Sequence, residues 1–137
     1  MGTLVADAQP LVAILLAEHD ARWVEERLRR QRGDGEVLLT AVNLSEVLYT
    51  VRTRLGPHGA SRAAALLRRV PISIVDVGSG LATHAAEVKA RHHLGLGDCF
   101  AAALAIMTDS PLLTGDADFL PLAEHGLKIE WVGQERP

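Results

Sequence analysis

Cysteine is almost absent: Cys99 stands alone in 137 residues. A single thiol closes no intrachain disulfide and builds no multi-cysteine zinc site, and it suits a reducing compartment, the cytoplasm. No apolar run is long enough to cross a bilayer. The longest, "LVAILLA" at 11–17, falls well short of the roughly 20 residues a crossing helix needs. It follows Asp7 and Pro10 in place of a basic leader, so it does not read as a signal peptide and no membrane is expected as a partner. Positive charge is in deficit, 14 Lys and Arg against 17 Asp and Glu, which argues against a uniformly basic nucleic-acid binder. Repeats, low-complexity tracts and linkers are missing too. A hydrophobic fraction of 48% argues against disorder, and the length fits one domain over 1–137 with a frayed tail at 133–137.

What is present is unevenly spread. Residues 22–69 carry ten arginines against five acids, a local charge of +5 that leaves −8 for the remainder. Such asymmetry suggests an acidic centre beside a basic flank, although solvated helix faces explain most single arginines. Short apolar runs at 3–7, 37–40, 72–77, 111–114 and 128–132 read as strands. Between them lie helical patterns at 9–18, 20–32, 43–55, 60–70, 80–93, 98–109 and 117–126, with "GPHG" breaking the third from the fourth. Strands alternating with helices predict an α/β, three-layer domain: a central parallel sheet of about five strands with helices on both sides.

Acids recur at element boundaries. Asp7 ends the first strand, Glu46 sits in the first turn after the second, Asp98 opens an alanine-rich helix, and Asp116 ends the fourth strand with Asp118 two residues on. Each has a plain structural explanation. Asp is a favoured N-cap, worth about 1 kcal/mol over alanine, and Asn43 with Glu46 has capping-box spacing. In a parallel sheet, however, the carboxyl ends of the strands share one edge, where ligands bind. Asp7, Glu46 and Asp116 would gather there; Asp98 follows a helix and is not placed by the sequence. Carboxylates so gathered cannot all stay ionised without a cation. A hard divalent ion, Mg²⁺ or Mn²⁺, answers that need and points to chemistry on phosphate.

"VADA", "NLSEV", "LGLGDCFAAALA" and "LLTGDADF", in this order over nearly the whole chain, resemble the four acidic motifs of PIN-domain ribonucleases, and length and element order resemble the VapC toxins of bacterial toxin–antitoxin pairs. The resemblance implies an acidic quartet of Asp7, Glu46, Asp98 and Asp116. It implies Mg²⁺- or Mn²⁺-dependent cleavage of structured RNA, a tRNA or an rRNA loop, a cognate VapB-like antitoxin threaded across the groove, and a homodimer. In that light Asp7, Asp98 and Asp116 hold the metal, Glu46 is a ligand or orients the attacking water, Asp118 supports metal or water, and Thr114 matches a commonly found hydroxyl. Arg52, Arg54 and Arg62 lie on helices that border the groove in the family and would contact RNA or partner. Gln9 departs from the family's usual Ser or Thr, and Cys99 from a small alanine; Cys99 would pack as a small hydrophobe.

Other readings compete. A PIN-like module that only binds RNA or protein would not need the intact quartet. A receiver-type phosphoacceptor would want two acids after the first strand, where Asp7-Ala8-Gln9 stands, and a late lysine at a strand end, whereas Lys128 sits at a strand start. Adjacent His92 and His93 fit a helix terminus better than a metal site. Trp23 and Tyr49 fit a core or interface better than base stacking, and Glu87 and Lys89, two apart, share no helix face.

Overall fold

A computed structural model of the chain describes residues 2–31, 33 and 35–134. Strands β1 (Thr3–Ala6), β2 (Glu36–Thr40), β3 (Ile72–Val75), β4 (Leu112–Thr114) and β5 (Ile129–Trp131) form a sheet in the order β3-β2-β1-β4-β5. Every pairing is parallel. The helices are α1 (Ala8–Leu15), α2 (Ala21–Gln31), α3 (Ala41–Leu67), α4 (Ser79–His92), α5 (Leu96–Met107) and α6 (Leu120–Ala123), the last preceded by a 3-10 turn over Ala117–Phe119. The expected α/β class and helix-flanked parallel sheet are therefore what the chain adopts.

Period two along the strands builds the layers. Leu4 and Ala6 of β1 face one core with Val37, Leu39 and Leu113, against α1, α2 and α3. Val5 and Leu112 face the other, against α4 and α5. Both faces of the central strands are thus apolar, which is why they read as unbroken hydrophobic runs. Leu4, Leu39, Leu112, Leu113 and Phe119 are fully buried. Each such side chain contributes about 1.5–3 kcal/mol over leaving it in water. Five consecutive buried residues of α5, Ala101–Ala105, four of them alanine, let that helix lie close on the sheet; small side chains permit the approach.

Several local expectations shift. The break expected at "GPHG" is there as a kink without a loop: α3 is two helical segments that meet where Gly56 takes φ 73 and ψ −179 just ahead of Pro57. A residue without Cβ enters that region freely, and the proline ring that follows disfavours a helical residue before it. Cys99 is fully buried, as a small hydrophobe. Trp23 packs on the α1–α3 core, but Tyr49 is 71% exposed and lies in neither core. His92 falls in the last turn of α4, and His93, left-handed at φ 56, forms its C-cap. Glu87 pairs with Arg91 along α4. Gly133 and Gln134 follow β5 in a turn, and the rest of the expected frayed tail, 135–137, lies outside the described residues, as does Arg32. Among the described residues no helix is long and apolar enough to cross a membrane.

Candidate active site

Strand order reverses at β1: the chain winds outward through β2 to β3, then returns to place β4 on the other side of β1. The crevice between the carboxyl ends of β1 and β4 is the topological switch point, where open parallel sheets bind ligands. Asp7 directly follows β1 and Asp116 lies two residues beyond β4. Both backbones are tied there, since the Asp7 N–H donates to the Leu113 carbonyl at 3.0 Å.

A hydrogen-bond chain runs across the crevice. Thr114 keeps the inward side of Leu112, two residues earlier, and is fully buried. Its Oγ1 donates to Asp7 Oδ2 at 2.9 Å and accepts from the Asp116 N–H at 3.1 Å, so one hydroxyl joins the two strand ends. Gln9, in the first turn of α1, adds a second strap: its Oε1 accepts from the Gly115 N–H at 2.9 Å. A side chain at position 115 would collide with that amide, so glycine is needed for the contact. Asp116 Oδ1 accepts from the Asp118 N–H at 2.9 Å, an N-cap for the 3-10 turn.

A second set of bonds brings in α3 and α5. Thr40, not Asn43, caps α3, its Oγ1 accepting from the Asn43 N–H at 3.0 Å. The helix begins at Ala41, so Glu46 lies in its second turn and the expected capping box does not form. Asn43, fully buried, serves another purpose. Its Nδ2 donates to Glu46 Oε1 at 2.8 Å and to the Gly97 carbonyl at 3.0 Å, while its Oδ1 accepts from Thr40 Oγ1 at 2.5 Å. The Glu46 carboxylate lies where a Cβ at position 97 would stand, so Gly97 lets it reach the start of α5. Asp98 does not open α5 either: Gly95 is the N-cap and Asp98 sits in the first turn, where the helix dipole favours a negative charge. Capping is therefore the structural role of Asp116 alone; Asp7 occupies an N-cap position without a capping side-chain bond.

Electrostatics identifies the cluster. Burial pushes the Asp7 carboxyl up to about 6, opposed by its bond from Thr114 and reinforced by the charges of Glu46 and Asp116. Asp98 is pushed up to about 7, first by burial and then by the charges of Asp7, Asp116, Glu46 and Asp118. The other four acids thus all act on Asp98, which the sequence left unplaced. Oxygens of Asp98, Asp116 and Asp118 come within 4.8 Å of one another. Three hard, anionic oxygens so close fit a divalent cation that prefers carboxylate and water, and no sulfur or imidazole competes among them. Asp118 belongs to this trio and Asp7 does not: its Oδ2 is engaged by Thr114 and it borders the group from the β1 side.

Arg52, Arg54 and Arg62 are exposed on α3, on either side of the kink, and none appears among the ion pairs of the described residues. Asn43 and Gly97 carry contacts that sequence reasoning assigned to a cap or passed over. The available signal was spacing: Asn43 and Glu46, three apart on a helix, lie side by side.

Comparisons with known proteins agree with this geometry. The PIN domain family matches residues 4–124. Ribonuclease VapC30 of Mycobacterium tuberculosis is 31% identical over 123 residues, covering 85% of this chain and 92% of that protein. Ribonuclease VapC of Mycolicibacterium smegmatis is 32% identical over 117 residues, covering 80% and 88%. Among solved structures, VapBC2 from Rickettsia felis bound to a DNA fragment from their promoter superposes with a TM-score of 0.77 at 14% identity, over 93% of this chain and 97% of that one. A shared fold, a matching family profile and relatives above 30% identity along most of both chains lead to one assignment: this chain belongs to the PIN-domain family, among the VapC ribonucleases.

Proposed function

We propose that the chain is a Mg²⁺- or Mn²⁺-dependent endoribonuclease toxin that cuts a structured RNA, a tRNA or an rRNA loop, and is restrained by a VapB-like antitoxin in the cytoplasm. The observation that carries this reading is the trio of carboxylate oxygens within 4.8 Å beside β4, with Asp98 raised to about 7 by burial and then by its neighbours' charges. An acidic crevice that cannot hold its own charge needs a cation, and without one it would repel a polyanion.

Asp98, Asp116 and Asp118 would hold the ion, with Asp7 at its edge; bound there, a divalent cation supplies Lewis-acid stabilisation of charge developing on the phosphoryl group. Glu46, held through Oε1 by Asn43, would orient the attacking water with its other oxygen. Thr114 holds Asp7 and the Asp116 backbone in register, and Gln9 holds the Gly115 turn, so the carboxylates need little reorganisation when the substrate arrives. Arg52, Arg54 and Arg62 would contact RNA phosphates or the partner, giving the salt dependence of a phosphate interface. Exposed Leu48, Leu55 and Leu66 on α3 offer apolar surface for an antitoxin segment or a second copy in a homodimer.

The test is cleavage of bulk tRNA and rRNA by the purified chain with Mg²⁺, with a chelator, and by Asp98→Asn with Mg²⁺. Cleavage in the first condition alone is expected. Equal cleavage in all three overturns the assignment.

A further inference from the structure

Tyr49 is the chain's single tyrosine, and among the described residues it is the most exposed of the large hydrophobic side chains. Its ring belongs to neither core. Among the described residues the ring contact is between His92 and His125, and the bond at Tyr49 is made by its backbone carbonyl, which accepts from Thr53 Oγ1 at 2.8 Å. A ring left in water adds nothing to the fold. Its position is not arbitrary. Helix α3 is regular from Ala41 up to the kink at Gly56, so Tyr49 stands one turn beyond Glu46, about 4.5 Å along the axis and about 60° around it. Helical side chains lean toward the helix N-terminus. In α3 that end follows directly on the carboxyl end of β2, at the edge of the sheet that carries the crevice. On the other side the Glu46 carboxylate rests on Gly97, and the next residue, Leu96, is 58% exposed. Glu46 is thus bordered by exposed apolar surface from both α3 and α5.

The neighbours of the ring say what it suits. On a helix the residues three and four positions away are adjacent. For Tyr49 these are Ser45, Glu46, Arg52 and Thr53, all polar, and all exposed except the half-buried Glu46. An aromatic anchor of a protein interface sits in an apolar, water-excluding patch; this one is ringed by polar groups. Arg52 continues the same line, about 9 Å beyond Glu46 along the axis, with Arg54 two residues on. Both are exposed, and neither is in an ion pair of the described residues. Carboxylate, aromatic ring and guanidinium therefore follow one another outward from the crevice. A stacking surface beside uncommitted positive charge is how proteins hold single-stranded nucleic acid, since every base offers a π-face and every nucleotide a phosphate.

We propose that Tyr49 is a substrate-binding residue: a nucleotide next to the phosphate to be cut lays its base on the Tyr49 ring, and Arg52 takes a phosphate beyond it. The proposal rests on the ribonuclease reading and deepens it by naming the feature selected in the RNA, an unpaired nucleotide whose base is turned out of any helix. Paired RNA keeps its base faces stacked and offers none to the ring. Preference among the four bases at this position is weak, because stacking tolerates them all.

The experiment is fluorescence anisotropy of a labelled single-stranded RNA octamer of mixed sequence, and of its abasic counterpart, with the full chain in Ca²⁺; a gel checks that the octamer stays intact. Parent, Tyr49→Phe, Tyr49→Ala and Arg52→Ala are compared at several salt concentrations. Tyr49→Ala is expected to bind the octamer about five- to a hundredfold more weakly with an unchanged salt slope, and Tyr49→Phe, which keeps the ring, to bind within about twofold of the parent. Arg52→Ala is expected to flatten the salt slope by about 0.7, one phosphate of a single strand. On the abasic strand parent and Tyr49→Ala should bind alike. Both positions are exposed, and thermal melting checks that the variants fold. Chain carrying 3-fluorotyrosine has a single ¹⁹F site, because the chain has a single tyrosine; its resonance should shift with the octamer and stay put with the abasic strand. Equal binding of the octamer by parent and Tyr49→Ala, with Mg²⁺-dependent RNA cleavage by the parent intact, overturns the stacking site and leaves the ribonuclease reading standing. Absence of both binding and cleavage in the parent overturns both. A Tyr49→Ala chain that binds the octamer like the parent but loses self-association in size exclusion assigns the ring to a protein interface and overturns the proposal.

Discussion

At Arg27 the chain buries a charge and supplies its opposite; at Asp7 and Asp98 it gathers charges of one sign and supplies no counter-ion. The Arg27 guanidinium, 4% exposed, is held by Glu130 through Nε at 2.6 Å and Nη2 at 2.9 Å, and its Nη1 donates to Gln31 Oε1 at 3.1 Å. That pair joins α2 to edge strand β5 and is satisfied within the chain. In the crevice, no ion pair among the described residues reaches Asp7, Asp98 or Asp116. Hydrogen bonds hold the Asp7, Glu46 and Asp116 carboxylates and leave their charge uncompensated, and both shifted acids, Asp7 and Asp98, move toward the neutral form. A cluster that satisfies itself serves the fold. One that is held rigidly in an unsatisfied state is built for something that arrives from outside.

The comparison can be broken first at the crevice. Asp116→Asn is expected to lower the rate of RNA cleavage by a hundredfold or more, the loss of about 3 kcal/mol of charge stabilisation in the transition state, while melting at the same temperature or higher in the absence of divalent ions. A rate within a few-fold of the parent would place the chemistry elsewhere. The opposite pattern is expected at the paired cluster. Glu130→Ala strands the buried Arg27 guanidinium and is expected to cost about 2–3 kcal/mol of stability, somewhat less than a fully buried pair because the Glu130 side chain is 24% exposed. Denaturant melts would read the loss, with cleavage per folded molecule retained.

Acidity sharpens the contrast. The folded chain binds protons at Asp7 and Asp98 that the unfolded chain has released, over a window from about pH 4 to about 6 for the first and about 7 for the second. Without divalent ions, stability should therefore fall as pH rises through that window; Asp7 accounts for up to about 3 kcal/mol. Mg²⁺ should flatten or reverse the trend by favouring the ionised forms. Melting curves at the two ends of the window, each with chelator and with Mg²⁺, test this, and a chelated protein that gains stability as pH rises would contradict it. The smallest effect is expected at Gln9. Removing its amide in Gln9→Ala deletes one hydrogen bond to Gly115, about 1 kcal/mol, and should reduce cleavage several-fold by loosening the turn that carries Asp116. A variant as active as the parent would make that strap dispensable.

Much of this was readable in order along the chain. Apolar runs marked the strands, helical spacing marked most helices, and alternation of the two predicted a parallel sheet with an acidic edge. The site was legible at Asp7 and Asp116 because each follows a strand. It was less legible at Asp98 and Glu46, whose helices start earlier than their apolar patterns suggest. Leu96 and Ala41 begin those helices, and local sequence does not distinguish a cap from a first-turn residue when Gly95 or Thr40 supplies the cap. Asn43 was misread for the same reason: its amide satisfies Glu46 and a carbonyl 54 residues away, a partner no local pattern reveals.

Sequence alone determined which strands are apolar, which residues bear charge, and that strands and helices alternate, because these follow from hydrophobic period and side-chain chemistry within a few residues. Only the tertiary structure decided which acids share a crevice, that Asp118 stands in the oxygen trio with Asp7 at its border, and that His92 meets His125. Those outcomes depend on strand order and on the angle at which helices cross the sheet, and both are set by packing between segments far apart in the chain.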